Sequence, residues 1–293
     1  MPASRNNSQR IRQIAILGPG LLGGSIGLAV CKRKLANQVI VWGRRIESAQ
    51  AAVKRGAADR IAMTPQEAVR DADIIILCTP VGVMPELAKD FRSKLRRDSI
   101  VTDVASTKYD IVKQLSTLLR GKTTYIGSHP MAGGEKEGLM AARANLFEGS
   151  ICILTPQLKT KKAPLQKLAA FWEKLGCQIR MASPIKHDEW VAHISHLPHL
   201  VAAGMMNLIH HRKPESFDFI GNGFRDVTRI AAGSPEMWSE IVRNNREEIR
   251  RALDLMIEEL KNIRRHLING SDAKLKAYLR QAKQKRDELD HRF

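Results

Sequence analysis

The 293-residue sequence predicts an α/β chain in two parts, a parallel sheet wound by helices followed by an all-helical region. Three observations predict it. Residues 14–25, Ile-Ala-Ile-Leu-Gly18-Pro-Gly20-Leu-Leu-Gly23-Gly24-Ser25, join a short apolar strand to a GxGxxG turn and a small-residue helix start. From residue 57 onward, short apolar runs alternate with helical patterns, the mark of a parallel sheet covered on both faces. After Ser183-Pro184 the strand patterning stops and helical periodicity runs to Phe293.

The glycine turn reads as a phosphate cradle. Gly18 permits the tight turn, Gly20 lets the backbone approach a pyrophosphate, and Gly23 brings helix against strand. Leu21 and Leu22 open the helix whose free N–H groups face the phosphates. The helix runs to about Arg33, and a second strand, Val39–Trp42, follows at βαβ spacing. This is a Rossmann-type start. A plain tight turn is the alternative for the glycines alone.

At the end of the second strand, where an acidic residue usually meets the ribose of NAD, stand Gly43, Arg44 and Arg45. Without a carboxylate nothing repels a 2′-phosphate, and a guanidinium can bind one through a bidentate fork. The expectation is NADP, with NAD also admitted. Solvated loop charges in a basic protein remain the other reading of both arginines.

Thr64-Pro65-Gln66-Glu67 forms a capping box with proline at the first helical position, opening a helix that ends near Asp71. A buried strand, residues 73–78, ends in Thr79 and Pro80 at the carboxyl edge where such sheets bind ligands. Another strand ends at Asp103, a helix spans about Lys108 to Leu119, and a further strand covers 123–127. Residues 151–154 form a strand and about 163–175 a helix, giving a dinucleotide-binding domain over 11–182. Long helices over 235–268 and 272–290 lie in a second domain over 183–293. The stretch Leu197–Ile209 has too few polar positions for a solitary surface helix, so a homodimer is expected.

The 48 Lys and Arg against 30 Asp and Glu give a net charge of +18. Such charge suits either nucleic acid or polyanionic small molecules. An aromatic content of 5% and the lack of zinc-finger, RNP-like or helix-turn-helix patterns argue against nucleic acid. The basic stretch 274–286 reads as a solvated helix face. No apolar run is long enough for a membrane span and the first ten residues are polar, so the expected place is the cytoplasm, with no membrane partner. Cys31, Cys78, Cys152 and Cys177 have no metal-ligand spacing and read as reduced core residues, so no metal is expected.

Two segments at strand ends carry the chemistry: 103–108, Asp-Val-Ala-Ser-Thr-Lys, and 129–135, His-Pro-Met-Ala-Gly-Gly-Glu. His129 is expected on a loop fixed by glycine and proline, with the Ser106 hydroxyl in reach, as a general base beside a nicotinamide requires. Taken alone, His129 also reads as a hydrogen-bonded loop histidine.

With these segments the sequence resembles the prephenate and arogenate dehydrogenases of tyrosine biosynthesis, a branch of the 6-phosphogluconate-dehydrogenase-like group. The resemblance spans most of the chain. It rests on GPGLLGGS at 18–25, DVASTK at 103–108, HPMAGGEKEG at 129–138, SHLPH at 195–199 and GFRDVTRIA at 223–231, with Trp238 at the expected distance. It implies an N-terminal dinucleotide domain and a helical dimerisation domain. It also implies that His129 accepts the proton of the ring 4-hydroxyl as hydride leaves C4 for the nicotinamide, and that Ser106 orients His129. The ring carboxylate then leaves as carbon dioxide.

The resemblance further implies that Arg229 grips that carboxylate, that Arg225, His199 and Trp238 line the pocket, and that Glu135 stands at its entrance. A helix kink for His199, an ion pair for Arg225 with Asp226, and a core position for Trp238 are the plainer readings. Asp103, Thr79 and Pro80 are expected beside the cofactor. Prephenate and arogenate are both open as substrates. Relatives that carry a chorismate-mutase segment or a regulatory ACT domain differ, since this sequence is expected to have neither. Two rival functions remain: a related dehydrogenase for another hydroxy acid, and a non-catalytic NADP- or nucleic-acid-binding protein.

Overall fold

The computed structural model describes residues 11–134 and 136–290. Its described residues divide into two compact units, one up to Asn245 and one from Arg246 onward.

The first unit begins with β1 (Ile11–Leu17), α1 (Leu21–Arg33), β2 (Ala36–Trp42), α2 (Ile46–Lys54), β3 (Arg60–Ile61) and α3 (Pro65–Val69). Next come β4 (Ile74–Leu77), α4 (Met84–Phe91), β5 (Ile100–Asp103), α5 (Tyr109–Leu118) and β6 (Thr124–Tyr125). All six strands pair in parallel, in the order β3-β2-β1-β4-β5-β6. That order is the one doubly wound dinucleotide-binding sheets use.

Period-two alternation accounts for the burial of both faces. Ile14 and Ile16 of β1, with Ile74 and Ile76 of β4, enter one apolar cluster; Ala15, Leu17, Ile75 and Leu77 enter the other. The cap at α3 forms: Thr64 Oγ1 accepts from Glu67 N at 3.1 Å, while the Glu67 carboxylate reaches one residue past the cap and accepts from Met63 N at 2.8 Å.

The segment expected as one strand over 123–127 is divided. β6 ends the parallel sheet at Tyr125, and β7 (Gly127–Pro130) starts a second, three-stranded sheet with β8 (Ile151–Thr155) and β9 (Gln178–Met181). β7 runs antiparallel to β8, pairing His129 with Ile153. His129 therefore lies in a strand, which corrects the expected loop; glycine and proline at 127 and 130 hid a ladder whose partner is far off in sequence. β9, exposed and half polar, has no sequence signal. Behind this sheet lies α6 (Lys162–Lys174), whose Trp172 packs edge-on against Phe147 and Phe171, each at 5.6 Å.

The helical part opens with α7 (Pro184–Val191), capped by Ser183 and begun by Pro184. A π-helical turn, Ala192–His196, joins it to α8 (Leu197–Arg212). Pro198 brings no N–H to the ladder, which fits a wide turn just before it. Two short helices, α9 (Asn222–Thr228) and α10 (Pro235–Asn244), complete the unit. α7 packs on α5 and β8, so the compact unit extends past the change of pattern near residue 183. The second unit is a pair of helices, α11 (Arg246–Ile268) and α12 (Asp272–Asp290), with Tyr278 donating to Glu259 at 3.2 Å. None of the described helices is long and apolar enough to cross a membrane.

Candidate active site

Parallel register brings the strand ends into line: Leu17 pairs with Trp42 and with Leu77, and Leu77 pairs with Asp103. The residues that follow each strand therefore share one carboxyl edge. Gly18 takes φ +105°, and a Cβ there would meet Cys78 O at 2.7 Å, so neither backbone nor space admits another residue. A Cβ on Gly23 would stand 2.2 Å from Gly18 O. At Gly20 a Cβ would meet nothing within 4 Å. Two glycines thus answer to the protein's own packing, and the third leaves open space at the start of α1, as a pyrophosphate needs.

Other residues of this edge fit a dinucleotide as well. Leu21 and Leu22 form the first turn of α1 and pack on the core. Thr79 Oγ1 is buried without a hydrogen-bond partner, and exposed Pro80 follows it. Gly18 N donates to Trp42 O at 2.9 Å, which holds the glycine turn beside Gly43. A Cβ on Gly43 would press on Pro19 Cδ at 3.2 Å and Arg45 O at 3.3 Å. Arg44 and Arg45 are exposed where α2 begins.

Asp103 does not belong to this set. Both carboxylate oxygens are used internally: Lys108 Nζ donates at 2.7 Å and Ala105 N at 2.8 Å to Oδ1, and Tyr125 OH donates at 2.6 Å to Oδ2. Asp103 and Lys108 side chains are fully buried. The expectation of cofactor contact is corrected. Asp103 anchors the 103–108 loop, because a carboxylate in that interior has to be paired by protein donors. Burial of the Tyr125 hydroxyl, with the Asp103 charge and hydrogen bond added, pushes that group well above its usual range.

β7 presents His129 at 7% exposure. The strand is pinned by Ser128, whose Oγ bonds Thr102 Oγ1 at 2.7 Å and accepts from Trp172 Nε1 at 3.1 Å. His129 Nδ1 meets His187 Nε2 at 2.8 Å, and His187 Nδ1 meets Asp188 Oδ1 at 2.7 Å. Asp188 also accepts from two backbone amides at the start of α5, Lys108 N and Tyr109 N, both at 2.8 Å. Burial, with His187, Lys108 and His196 nearby, holds the His129 pKa well below 6.5. The neutral imidazole, which is the form able to take a proton, therefore prevails at neutral pH.

Ser106 lies half-buried on the loop after β5 but makes no hydrogen bond to His129. His187 holds that ring instead, which corrects the expected orienting role of Ser106. His187, Asp188, His196 and Asn245 all escaped the reading of the sequence. A His-Asp pair in the second turn of a mixed helix gives no signal of burial, and only the first SHLPH histidine, His196, stood inside a noted motif.

The remaining wall is aromatic. His199 stacks on Trp238 with centroids 3.5 Å apart and planes 9° apart, and His196 meets Trp238 edge-on at 6.0 Å. A Cβ on Gly233 would strike Trp238 Nε1 at 2.5 Å, so glycine permits this stack. Asn245 Nδ2 donates to Asp188 O at 2.8 Å and lies 3.2 Å from His196 Nδ1, tying the wall to the histidine cluster. His196 Nε2 and His199 Nδ1 are buried without partners. Arg225 is exposed on α9, and Arg229 is exposed on the short turn Arg229–Ala232 that packs against α8. Glu135 lies outside the described residues.

A dinucleotide cradle, a buried neutral histidine and an aromatic wall in one unit describe a dehydrogenase site. Residues 26–181 match the family model for the prephenate dehydrogenase nucleotide-binding domain, and residues 183–281 match the model for its dimerization domain. The chain belongs to the prephenate dehydrogenase family. It is 36% identical to the prephenate dehydrogenase of Bacillus subtilis over 94% of this chain and 76% of that one. It is 32% identical to the cyclohexadienyl dehydrogenase of Zymomonas mobilis over 86% and 87% of the two chains.

Among solved structures, the prephenate dehydrogenase of A. aeolicus in complex with hydroxyphenyl propionate and NAD+ superposes with a TM-score of 0.90. The identity is 32%, covering 96% of this chain and 99% of that one. The Synechocystis arogenate dehydrogenase gives 0.83 at 30% identity, over 94% and 99%. As a member of the prephenate dehydrogenase family, the chain is an oxidoreductase that uses a nicotinamide dinucleotide.

Proposed function

We propose that the protein oxidatively decarboxylates prephenate, arogenate or both, giving 4-hydroxyphenylpyruvate or tyrosine, with NADP as the preferred acceptor and NAD as the second. The observation that carries this reading is His129: buried, neutral at working pH and tethered through Nδ1, so that Nε2 is the nitrogen left for a substrate hydroxyl. When bound, the nicotinamide supplies an acceptor for the hydride from C4 of the substrate ring.

His129 Nε2 takes the proton of the 4-hydroxyl as that C–H bond breaks. The ring carboxylate leaves as carbon dioxide, its electron pair completes the aromatic ring, and the oxygen regains a proton to become the phenol. Arg229, with a fixed fork for two oxygens, holds the carboxylate until it leaves. Ser106 meets the same hydroxyl as His129. Arg225, His199 and Trp238 bound the side-chain end of the substrate. Backbone N–H groups from Gly20 to Gly23 hold the pyrophosphate, with Leu21 and Leu22 behind it and Thr79 and Pro80 along the nicotinamide half.

Arg44, exposed and beside a glycine instead of an acid, favours the 2′-phosphate of NADP, and Arg45 sits next to it. Residues 11–182 serve the dinucleotide and 183–293 form a helical dimerisation region. The name of the second matching family model and the exposed Ile194 and Leu208 support a homodimer. The cytoplasm is the proposed place.

Steady-state turnover of prephenate and of arogenate, each with NADP and NAD, tests this reading. The expected outcome is a higher kcat/KM with NADP and a plateau in pH that persists below 6.5, since His129 stays unprotonated there. No reduction of either cofactor by either substrate would overturn it.

A further inference from the structure

We propose that His187 and Asp188 are positioning residues that order a one-way hydrogen-bond chain, keeping a proton on His129 Nδ1 and the lone pair on Nε2. This rests on the reading of His129 as the base and deepens it.

The direction follows from Asp188. Its Oδ1 accepts from Lys108 N and its Oδ2 from Tyr109 N, each at 2.8 Å, and these amides are orphan donors at the start of α5. A side chain that receives donors on both oxygens acts as an acceptor, so the third contact, at 2.7 Å, is a donation from His187 Nδ1–H. Burial holds the Asp188 carboxyl above its usual value, and those two amides limit the rise. A neutral His187 that donates from Nδ1 has a bare Nε2. That bare nitrogen can only accept across the 2.8 Å contact with His129, so His129 donates from Nδ1 and its own Nε2 is bare.

Burial and charge keep the chain in this state. His187 is fully buried and its pKa is driven far below 6.5 by desolvation, with Lys108 and His196 adding to it. The groups facing the His129 ring are His187 from α7, Lys108 from the loop before α5 and His196 from the π turn. A second proton on His187 would set two N–H groups head to head against His129. The arrangement has a consequence for turnover: when Nε2 receives a proton, the new imidazolium still donates to His187, and the Asp188 carboxylate lies at the end of the same chain. Ser106 makes no hydrogen bond to this ring, so the direction comes from the α7 pair together with the two α5 amides that Asp188 accepts from.

The tautomer can be read without substrate. In ¹⁵N-histidine-labelled wild-type protein at pH 7.5, the His129 signals, identified by their loss in His129→Asn, are expected to show a protonated Nδ1 and an unprotonated Nε2. In His187→Leu a mixture of tautomers is expected. kcat should fall about 100-fold, the scale of lost outer-contact partners, while KM for substrate and Kd for NADP stay within about threefold. His187→Gln, whose amide oxygen can still accept from His129 Nδ1–H, should recover about tenfold of that loss.

A proton on Nε2 of His129 in the wild type would overturn the proposal. So would a His187→Leu protein with unchanged kcat and normal cofactor binding. A wild-type protein with the proton on Nδ1 that turns over neither substrate would defeat the function reading and leave the hydrogen-bond chain standing.

Discussion

The phosphate cradle and the histidine cluster belong to one compact unit, yet they are assembled in opposite ways. The cradle takes its turn from neighbours in sequence, Gly18, Gly20 and Gly23, and from elsewhere it needs only backbone, at Cys78 and Trp42. The cluster draws Asp103 from β5, Lys108 from the loop after it, His129 from β7, His187 and Asp188 from α7, and Asn245 from the end of α10. One depends on what backbone can approach. The other depends on buried polar groups satisfying one another, and such a network loses more from one deletion than a single hydrogen bond is worth.

Substitutions can break or sharpen that contrast. The largest effect is expected from His129→Asn, which should lower kcat on the order of 10³-fold while NADP still binds as in the wild type, read by turnover and by fluorescence titration. Equal losses in both would mean that the two regions are not separable. Lys108→Leu leaves Asp103 charged, buried and short of its partner, so urea unfolding should show a loss of about 3–5 kcal/mol; a loss under about 1 kcal/mol would make the pair dispensable.

Within the cradle, Gly23→Ala should cost about 1–3 kcal/mol and abolish tight cofactor binding, since its Cβ meets Gly18 O at 2.2 Å. Gly20→Ala separates ligand from fold. Its stability should stay within about 0.5 kcal/mol of wild type while Kd for NADP rises, and an unchanged Kd would remove Gly20 from the phosphate site. Arg44→Ser is the mildest change: KM for NADP is expected to rise about tenfold, which is about 1.4 kcal/mol, with KM for NAD unmoved.

Acid separates the regions in a different way. His129, His187, His196 and His199 all have folded pKa values below 6.5, with His196 lowered to about 4. Below pH 6.5 the unfolded chain binds protons that the folded chain refuses, so stability falls as pH falls from about 6.5 toward 4. The raised Asp188 works in the opposite direction over part of that range. Melting temperatures across pH 4–7.5 should show the decline, and it should lessen in His196→Asn; the same slope in that variant would remove His196 from the balance.

How much of this could be read from the sequence follows the same division. The strand from Ile11, the α1 turn, the Thr64 cap and the change of pattern at Ser183 all stand as the sequence implied, because each depends on residues a few positions apart. Asp103 was misread as a cofactor contact, since its position at a strand end says nothing of the Lys108 and Tyr125 groups waiting for it. Ser106 was expected to orient His129 because both stood in recognisable motifs, whereas the residue that does so sits on a helix 58 positions away.

The sequence by itself determined the glycine turn, the parallel order that its βαβ rhythm requires, and the absence of an acid after β2. These are properties of backbone freedom and short-range pattern. Only the tertiary structure decided that His129 lies in a strand, that Asp103 faces inward, and that Asp188 and His187 stand behind His129. Those facts depend on pairing between distant segments and on the requirement that every buried polar group find a partner, and neither leaves a periodic trace in the chain.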